Sequence, residues 1–323
     1  MPNRTMYYGK GEVYAYRTFG APLSGVKQIP ESEVVSRDHT IWGLNINVAI
    51  GGRQFFTSFT EGDNQLVVAT DSMKNFIQRH FAKYKGNTTE GFLYYVAKQF
   101  LETYSQMETI KISADELPFL PTNCIEKHQR KTSPHVFKKS RNETPFACVE
   151  IARNGSAVEI VEHYSGIKDL QLIKICGNSF VGFVRDEYTT LPEDSNRPLF
   201  IYLNIMWKYE EVESGIREIP DKYVLAEQVS DIASAVFHEL NTKSIQQLIY
   251  QIGLRVLERF PQLSEVQFES QNRTWENVVD NIPNSSGKVY TEPRPPYGFQ
   301  KFTVYRKDLA KENNIAQNSR GFI

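Results

Sequence analysis

Residues 67–76 read Val-Val-Ala-Thr-Asp-Ser-Met-Lys-Asn-Phe: small and apolar residues, then Thr70-Asp71-Ser72, then an apolar-periodic run. A helix N-terminus needs a side-chain oxygen to accept from an orphaned backbone N–H, and Thr, Asp and Ser each carry one. Three in succession exceed what one cap uses. The cap is expected at Asp71 or Ser72, and whether Thr70 has work beyond it stays open at this level. A second candidate is Lys10, flanked by Gly9 and Gly11. It lacks both the first glycine of a P-loop and the Ser/Thr after the lysine, so it reads as a glycine-flanked lysine just before a strand. A third is the aromatic and polar run from Phe180 to Leu191, followed by Arg197. Such density in a connecting segment hints at a site, although Arg185-Asp186-Glu187 is also readable as a surface ion pair. A fourth is Ser244-Ile245-Gln246, which opens a helix; a glutamine in a first turn ordinarily serves the cap. The six histidines show no ligand-pair spacing and none sits in a zinc pattern, so no metal is expected.

These residues need elements to hold them. Helical periodicity runs from about 72 to 104 with a break near 85–87, and from about 227 to 260 with a break near 241–243. A shift of 156 residues carries the first stretch onto the second without a gap. Phe81 then falls on Phe237, Tyr94 on Tyr250, Leu101-Glu102 on Leu257-Glu258 and Gln106 on Gln262, with the apolar phase matched throughout. The same shift sets Thr88-Thr89-Glu90 against Ser244-Ile245-Gln246. Segments of strand character lie at 12–18 and 40–50 before the first helix pair, and at 148–152, 158–163 and 170–176 before the second. One more follows each pair, at 109–113 and 265–269, and a last strand is expected at 302–305. The unit is a hairpin, two helices and further strands, used twice: an α+β chain with an antiparallel sheet and helices on one face. The polar stretch from about 115 to 144 reads as a linker, and the tail after Lys307 as frayed.

Composition narrows the class. Forty per cent of the 323 residues are apolar and 12% aromatic, enough for a sizeable core. Lys+Arg is 37 against Asp+Glu 38, a formal net charge of −1, which gives no basic footprint for nucleic acid or an anionic membrane. No apolar run reaches the ~20 residues of a membrane span, and the first residues lack a secretory apolar region. Cys124, Cys148 and Cys176 are isolated, which fits a reducing cytosol.

Tyr8–Val13 (YGKGEV), Val68–Asn75 (VATDSMKN), Phe180–Leu191 (FVGFVRDEYTTL), Arg197, Ser244-Ile245-Gln246 and Asn272 stand in the order seen in urate oxidases (uricases). The resemblance covers the chain from Tyr8 to about Val304. It implies two tandem T-fold units, over 1–142 and 143–323 with a C-terminal tail. It also implies a tunnel-forming β-barrel homotetramer with each active site at a subunit interface. The implied reaction is the oxidation of urate by O2 to 5-hydroxyisourate and H2O2, with no cofactor. Lys10 and Thr70 would handle the proton, and the backbone N–H groups of Thr70 and Asp71 would meet one purine edge from the neighbouring subunit. Phe180 would stack on the ring, Arg197 and Gln246 would read its other polar edge, Leu191 and Ile245 would wall the pocket, and Asn272 would hold water or O2 over the ring.

One position departs from the family pattern. Where Asn-x-His is expected, the chain has Asn272-Arg273-Thr274, and a threonine does not titrate near neutral pH. The relay then runs through Thr274 with a water, through a histidine from elsewhere, or without a third member. Since the chain does not end in Ser-Lys-Leu, a bacterial-type cytoplasmic location is expected. Two other readings compete: a purine-binding protein without turnover, and a pterin- or GTP-processing enzyme on the same fold, which would carry zinc.

Overall fold

The computed structural model describes residues 5–139, 142–217, 219–273, 275–292 and 295–311; Thr274 lies outside them. The chain divides into two compact units. One comprises Met1–Gln28, Val34–Gly166 and Lys208–Leu225, the other Ile29–Glu33, Ile167–Trp207 and Ala226–Ile323.

The first unit opens with strands β1 (Tyr8–Thr18) and β2 (Ile41–Gly51), followed by a short helix α1 (Phe56–Thr60) and two long ones, α2 (Thr70–Lys83) and α3 (Thr89–Thr103). Then come β3 (Thr109–Leu117), a hairpin of β4 (Phe119–Glu126) and β5 (Gln129–Lys139), and β6 (Thr144–Asn154). Strands β1, β2, β3 and β6 pair antiparallel in that order. Strand alternation sends Leu44, Ile46 and Ile50 of β2 and Ile110 and Ile112 of β3 into one core. Met73, Ile77 and Phe81 of α2 and Phe92, Leu93, Val96 and Phe100 of α3 join it at helical spacing.

Two long strands, β7 (Ala157–Lys174) and β8 (Leu199–Tyr209), contribute residues to both units. The second unit adds α4 (Ala226–Glu239), α5 (Ile245–Arg259), β9 (Leu263–Arg273), a small pair β10 (Asn277–Val279) and β11 (Val289–Tyr290), and β12 (Gly298–Tyr305). β12 runs antiparallel to β9, with Val304 opposite Val266 and Phe302 opposite Phe268. α5 crosses this pair closely, because a Cβ on Gly253 would stand 2.5 Å from Val304 Cγ2.

The shift of 156 carries α2 onto α4 and α3 onto α5 end for end. Thr88 and Ser244 cap α3 and α5 through the same bond, accepting from the N–H groups of Gly91 and Gln247. Two arginines repeat a second detail. Arg153 donates to the carbonyls of Leu101 and Met107, and Arg306 to those of Leu257 and Leu263, which are the shifted positions.

The structure departs from the sequence reading in several places. β8 carries no sequence assignment, because in LFIYLNIMWKY three of the five outward residues, Phe200, Tyr202 and Met206, are apolar too and blur the alternation. The expected linker at 115–144 contains the β4–β5 hairpin, which is exposed on both faces and so carries no period-2 signal. Segments 158–163 and 170–174 belong to one strand, β7, which ends two residues before the expected 176 and takes a positive φ of 58° at Asp169. Residues 306–311 are helical, so the start of the tail expected to fray is ordered, and residues 312–323 lie outside the described residues.

Candidate functional site

Lys10 sits inside β1, not before it. The β1–β2 register slips between Lys10 and Val13, Glu12 takes a φ of 53°, and its N–H turns to Asn47 Oδ1 at 3.1 Å. This is a β-bulge, a device that re-aims a side chain. Gly9 makes it possible: a Cβ there would lie 1.8 Å from the Val48 carbonyl oxygen. The glycines around Lys10 therefore answer to strand geometry, not to phosphate.

α2, which packs along β1, begins at Thr70 itself. The expected side-chain cap is absent: the N-cap is Ala69, and neither Asp71 nor Ser72 closes the end. The Asp71 carboxylate reaches forward instead, to Lys74 Nζ at 2.6 Å and Asn75 Nδ2 at 3.0 Å. Lys74 holds its pKa below the usual carboxylate range, and Lys10 adds a smaller pull in the same direction. The first helical bond runs from Met73 N–H to the Ala69 carbonyl, so the N–H groups of Thr70, Asp71 and Ser72 precede the ladder. An uncapped helix start offers donors and a positive dipole end to an acceptor.

In the second unit a cavity of about 140 Å³ is lined by Phe180, Leu191, Arg197, Leu199, Ile245, Gln246, Asn272 and Gln300. Six residues singled out from sequence meet there: Phe180, Leu191, Arg197, Ile245, Gln246 and Asn272. Lys10, Thr70 and Asp71 belong to the first unit and do not line it.

Each lining residue has an identifiable anchor. Phe180 N–H bonds the Asp194 carbonyl at 2.8 Å, and Ser179 N–H bonds the Thr242 carbonyl at 2.7 Å, which ties this loop to the α4–α5 turn. Arg197 is fixed through its backbone: its N–H donates to the Asn178 carbonyl at 2.8 Å, and its carbonyl accepts from Asn178 Nδ2 at 3.1 Å. The guanidinium is thereby held with Cζ 5.1 Å from the Phe180 ring centre, within cation–π range. Its Nε is buried without a partner, and burial lowers its pKa, an effect that Asp194 partly opposes. At the start of α5 the cap work falls to Ser244 and to Gln247, whose Oε1 accepts from Lys243 N–H at 3.2 Å. That corrects the reading of Gln246 as capping partner, and Gln246 lines the cavity instead.

The lining thus combines one cation without an ion pair, three side-chain amides and an aromatic plate, with no carboxylate. It suits a flat, electron-rich ligand with carbonyl and N–H edges. Sequence reasoning missed Phe183, Leu199 and Gln300. Phe183 stacks on Phe180 with ring centres 4.8 Å apart. Gln300 and Asn272 continue the phase that buries Val304 on β12 and Val266 and Phe268 on β9, and a polar residue in that phase is the signal that would have found Gln300. The loop between has its own logic: Asp186 accepts from Tyr188 N–H and Thr189 Oγ1 rather than pairing with Arg185, whose guanidinium lies over Phe183.

The position equivalent to Gln246 in the first unit is Glu90. It is fully buried, and its carboxyl accepts from Ser165 Oγ at 2.6 Å and from Tyr223 Oη at 2.8 Å. There the chain's own hydroxyls occupy the carboxyl, whereas Gln246 opens onto the cavity.

A family model described as Uricase matches residues 36–150 and 163–301. The uric acid degradation bifunctional protein PucL of Bacillus subtilis is 60% identical over 313 residues, which is 97% of this chain and 63% of PucL. The chain therefore spans just under two thirds of that relative. A uricase of Haloferax volcanii is 48% identical across 95% of this chain and 100% of its own length. Among solved structures, the urate oxidase of Bacillus sp. TB-90 aligns with a TM-score of 0.92 at 60% identity, covering 94% of this chain and 100% of that one.

Proposed function

The chain belongs to the uricase family, and on that premise we propose that it oxidises urate with O2 and water to 5-hydroxyisourate and hydrogen peroxide. The observation that carries this reading is the cavity that Arg197 and Gln246 line beside the Phe180 ring. Urate is flat, anionic and edged with amide-like groups. Arg197 donates two-pronged bonds to one carbonyl edge, and Gln246 reads an adjacent N–H/C=O pair with its donor and acceptor. An analogue lacking those edges leaves the buried groups unpaired and is rejected.

The chemistry asks the protein for proton handling rather than an electron carrier. Urate stripped of a further proton is electron-rich enough to reduce O2, so both electrons come from the substrate and no cofactor is required. Lys10, thrust out by the bulge in β1, takes the proton, and Thr70 at the start of α2 passes it to water. The free N–H groups of Thr70 and Asp71 bond the opposite purine edge. These residues come from a neighbouring chain in a homotetramer of stacked barrels. What supports assembly is the pair of open strands: among the described strands β1 pairs only with β2 and β12 only with β9. Tyr14, Tyr16 and Phe19 lie exposed on or beside one of them, and Phe299, Phe302 and Tyr305 on the other. Three unpaired thiols support a reducing, cytoplasmic setting.

Oxygen uptake and peroxide release with urate test the reaction. Lys10→Met and Thr70→Ala each cut kcat by orders of magnitude with modest loss of urate affinity; wild-type rates in either sink the dyad. Co-expressing Lys10→Met and Arg197→Met chains restores about a quarter of the sites if each site draws on two chains at random. No restoration overturns the shared site.

A further inference from the structure

We propose that Gln300 is the positioning residue that sets the direction of the Asn272 amide, and that this fixed amide pair serves the oxygen-facing side of the cavity by orientation, in place of a titrating third residue. The inference rests on the cavity being the urate site. In the β9–β12 register Gln300 stands opposite Ser270, and Gly298 opposite Asn272. Ser270 is 1% exposed, and its hydroxyl donates to Gln300 Oε1 at 2.7 Å. With the carbonyl of Gln300 committed, its Nε2 donates to Asn272 Oδ1 at 3.2 Å. The carbonyl of Asn272 is thereby used, and its NH2 group is the end left for the cavity that both residues line.

Gly298 completes the arrangement. A Cβ there would lie 2.6 Å from Asn272 Oδ1, so the absence of a side chain leaves the amide its place. Asn272 is held from one side by a hydrogen-bond chain and from the other by room that only glycine provides. A donor fixed before the reaction stabilises developing charge on bound oxygen or water without reorganising at that moment. Ser270, Gln300 and Asn272 do not titrate near neutral pH. The oxygen-facing side of the cavity then works through oriented amides, where an imidazole would work through proton uptake.

Gln300→Leu removes both bonds at similar volume. Its kcat is expected to fall about 10²-fold, the loss typical of one preorganised donor. KM for urate stays within about twofold, because Arg197 and Gln246 remain intact. The double variant Asn272→Ala/Gln300→Leu is expected to be no slower than Asn272→Ala alone, since Gln300 acts through Asn272. Gln300→His introduces a group with a pKa of about 6.5, so a new ionisation enters the pH profile of kcat near that value. Additive losses in the double variant, or an unchanged kcat in Gln300→Leu, overturn the proposal. A crystal structure of Gln300→Leu tests it apart from turnover: the Asn272 amide rotates, and an unmoved amide refutes the positioning role. If the wild-type protein releases no peroxide from urate, the functional reading fails, and the structure of the variant still decides the role of Gln300.

Discussion

Replacing Arg197 with methionine asks whether the cavity keeps its cation for a ligand or for the fold. In the free protein Nε is buried without a partner, and burial lowers the pKa of the guanidinium. A buried N–H left unsatisfied costs about 1–3 kcal/mol. Methionine keeps most of the apolar stem and removes both the orphaned donor and the charge. The ligand-free variant is therefore expected to be more stable by roughly 1–2 kcal/mol, a rise of about 2–6 °C in the unfolding midpoint. Binding moves the other way. Charge-assisted bonds are worth about 1.5–3 kcal/mol each, so losing a two-pronged contact raises KM by about 100-fold or more. The assay is a thermal melt at fixed protein concentration, with and without a urate analogue, beside steady-state peroxide release. Wild type melts lower when free and gains most from the analogue; the variant melts higher and gains little. A variant that melts lower than wild type without ligand, or that keeps its KM, refutes this account.

Acid should act in two windows. His163 is buried, donates through Nδ1 to the Val212 carbonyl, and has its pKa lowered to about 4 by burial. Below pH ~6.5 the unfolded chain binds a proton that the folded chain refuses, so stability falls by up to about 1.4 kcal/mol per pH unit until about pH 4; His163→Phe flattens that slope in urea titrations at pH 7, 6 and 5. Glu31, clasped by Arg259 and Arg255, has its pKa lowered to about 2, chiefly by Arg259. Its contribution, roughly 1–2 kcal/mol after solvent screening, is present above pH ~4.5 and lost as pH falls towards 2, and Glu31→Gln removes that second phase. Gly9→Ala forces a Cβ into the Val48 carbonyl, so peroxide release is expected to fall at least 10-fold as the bulge that aims Lys10 shifts, while far-ultraviolet dichroism stays near wild type. Ser244→Ala removes the cap of α5, lowering stability by about 1 kcal/mol and raising KM severalfold through Gln246, as denaturant titration and kinetics will show.

What the sequence made legible follows from how each signal is carried. The helix pairs were readable because burial on a helix repeats every 3.6 residues, and the repeat doubled the evidence: Phe81 and Phe237 both face inward. Six cavity residues were found through motifs that a ligand holds together. Hidden features depended on partners distant in the chain. The bulge at Lys10 is set by Val48 and Asn47, so from sequence its glycines read as lying before the strand. Gln300 gains meaning only when paired with Ser270, 30 residues away. The start of α2 misled for a different reason: three capping residue types are present, yet Asp71 finds better partners in Lys74 and Asn75.

Gln246 and Glu90 hold equivalent positions in the two helix pairs, 156 residues apart. On the proposed function, a change at 246 alters what the molecule holds; at 90 it alters how the first unit packs, because Ser165 and Tyr223 are tied to that carboxyl. The two equivalent positions are therefore constrained by different things. A lineage that stopped meeting urate but still needed the folded protein would let 246 drift and keep 90. That asymmetry would mark a gene in which the fold had outlived its chemistry.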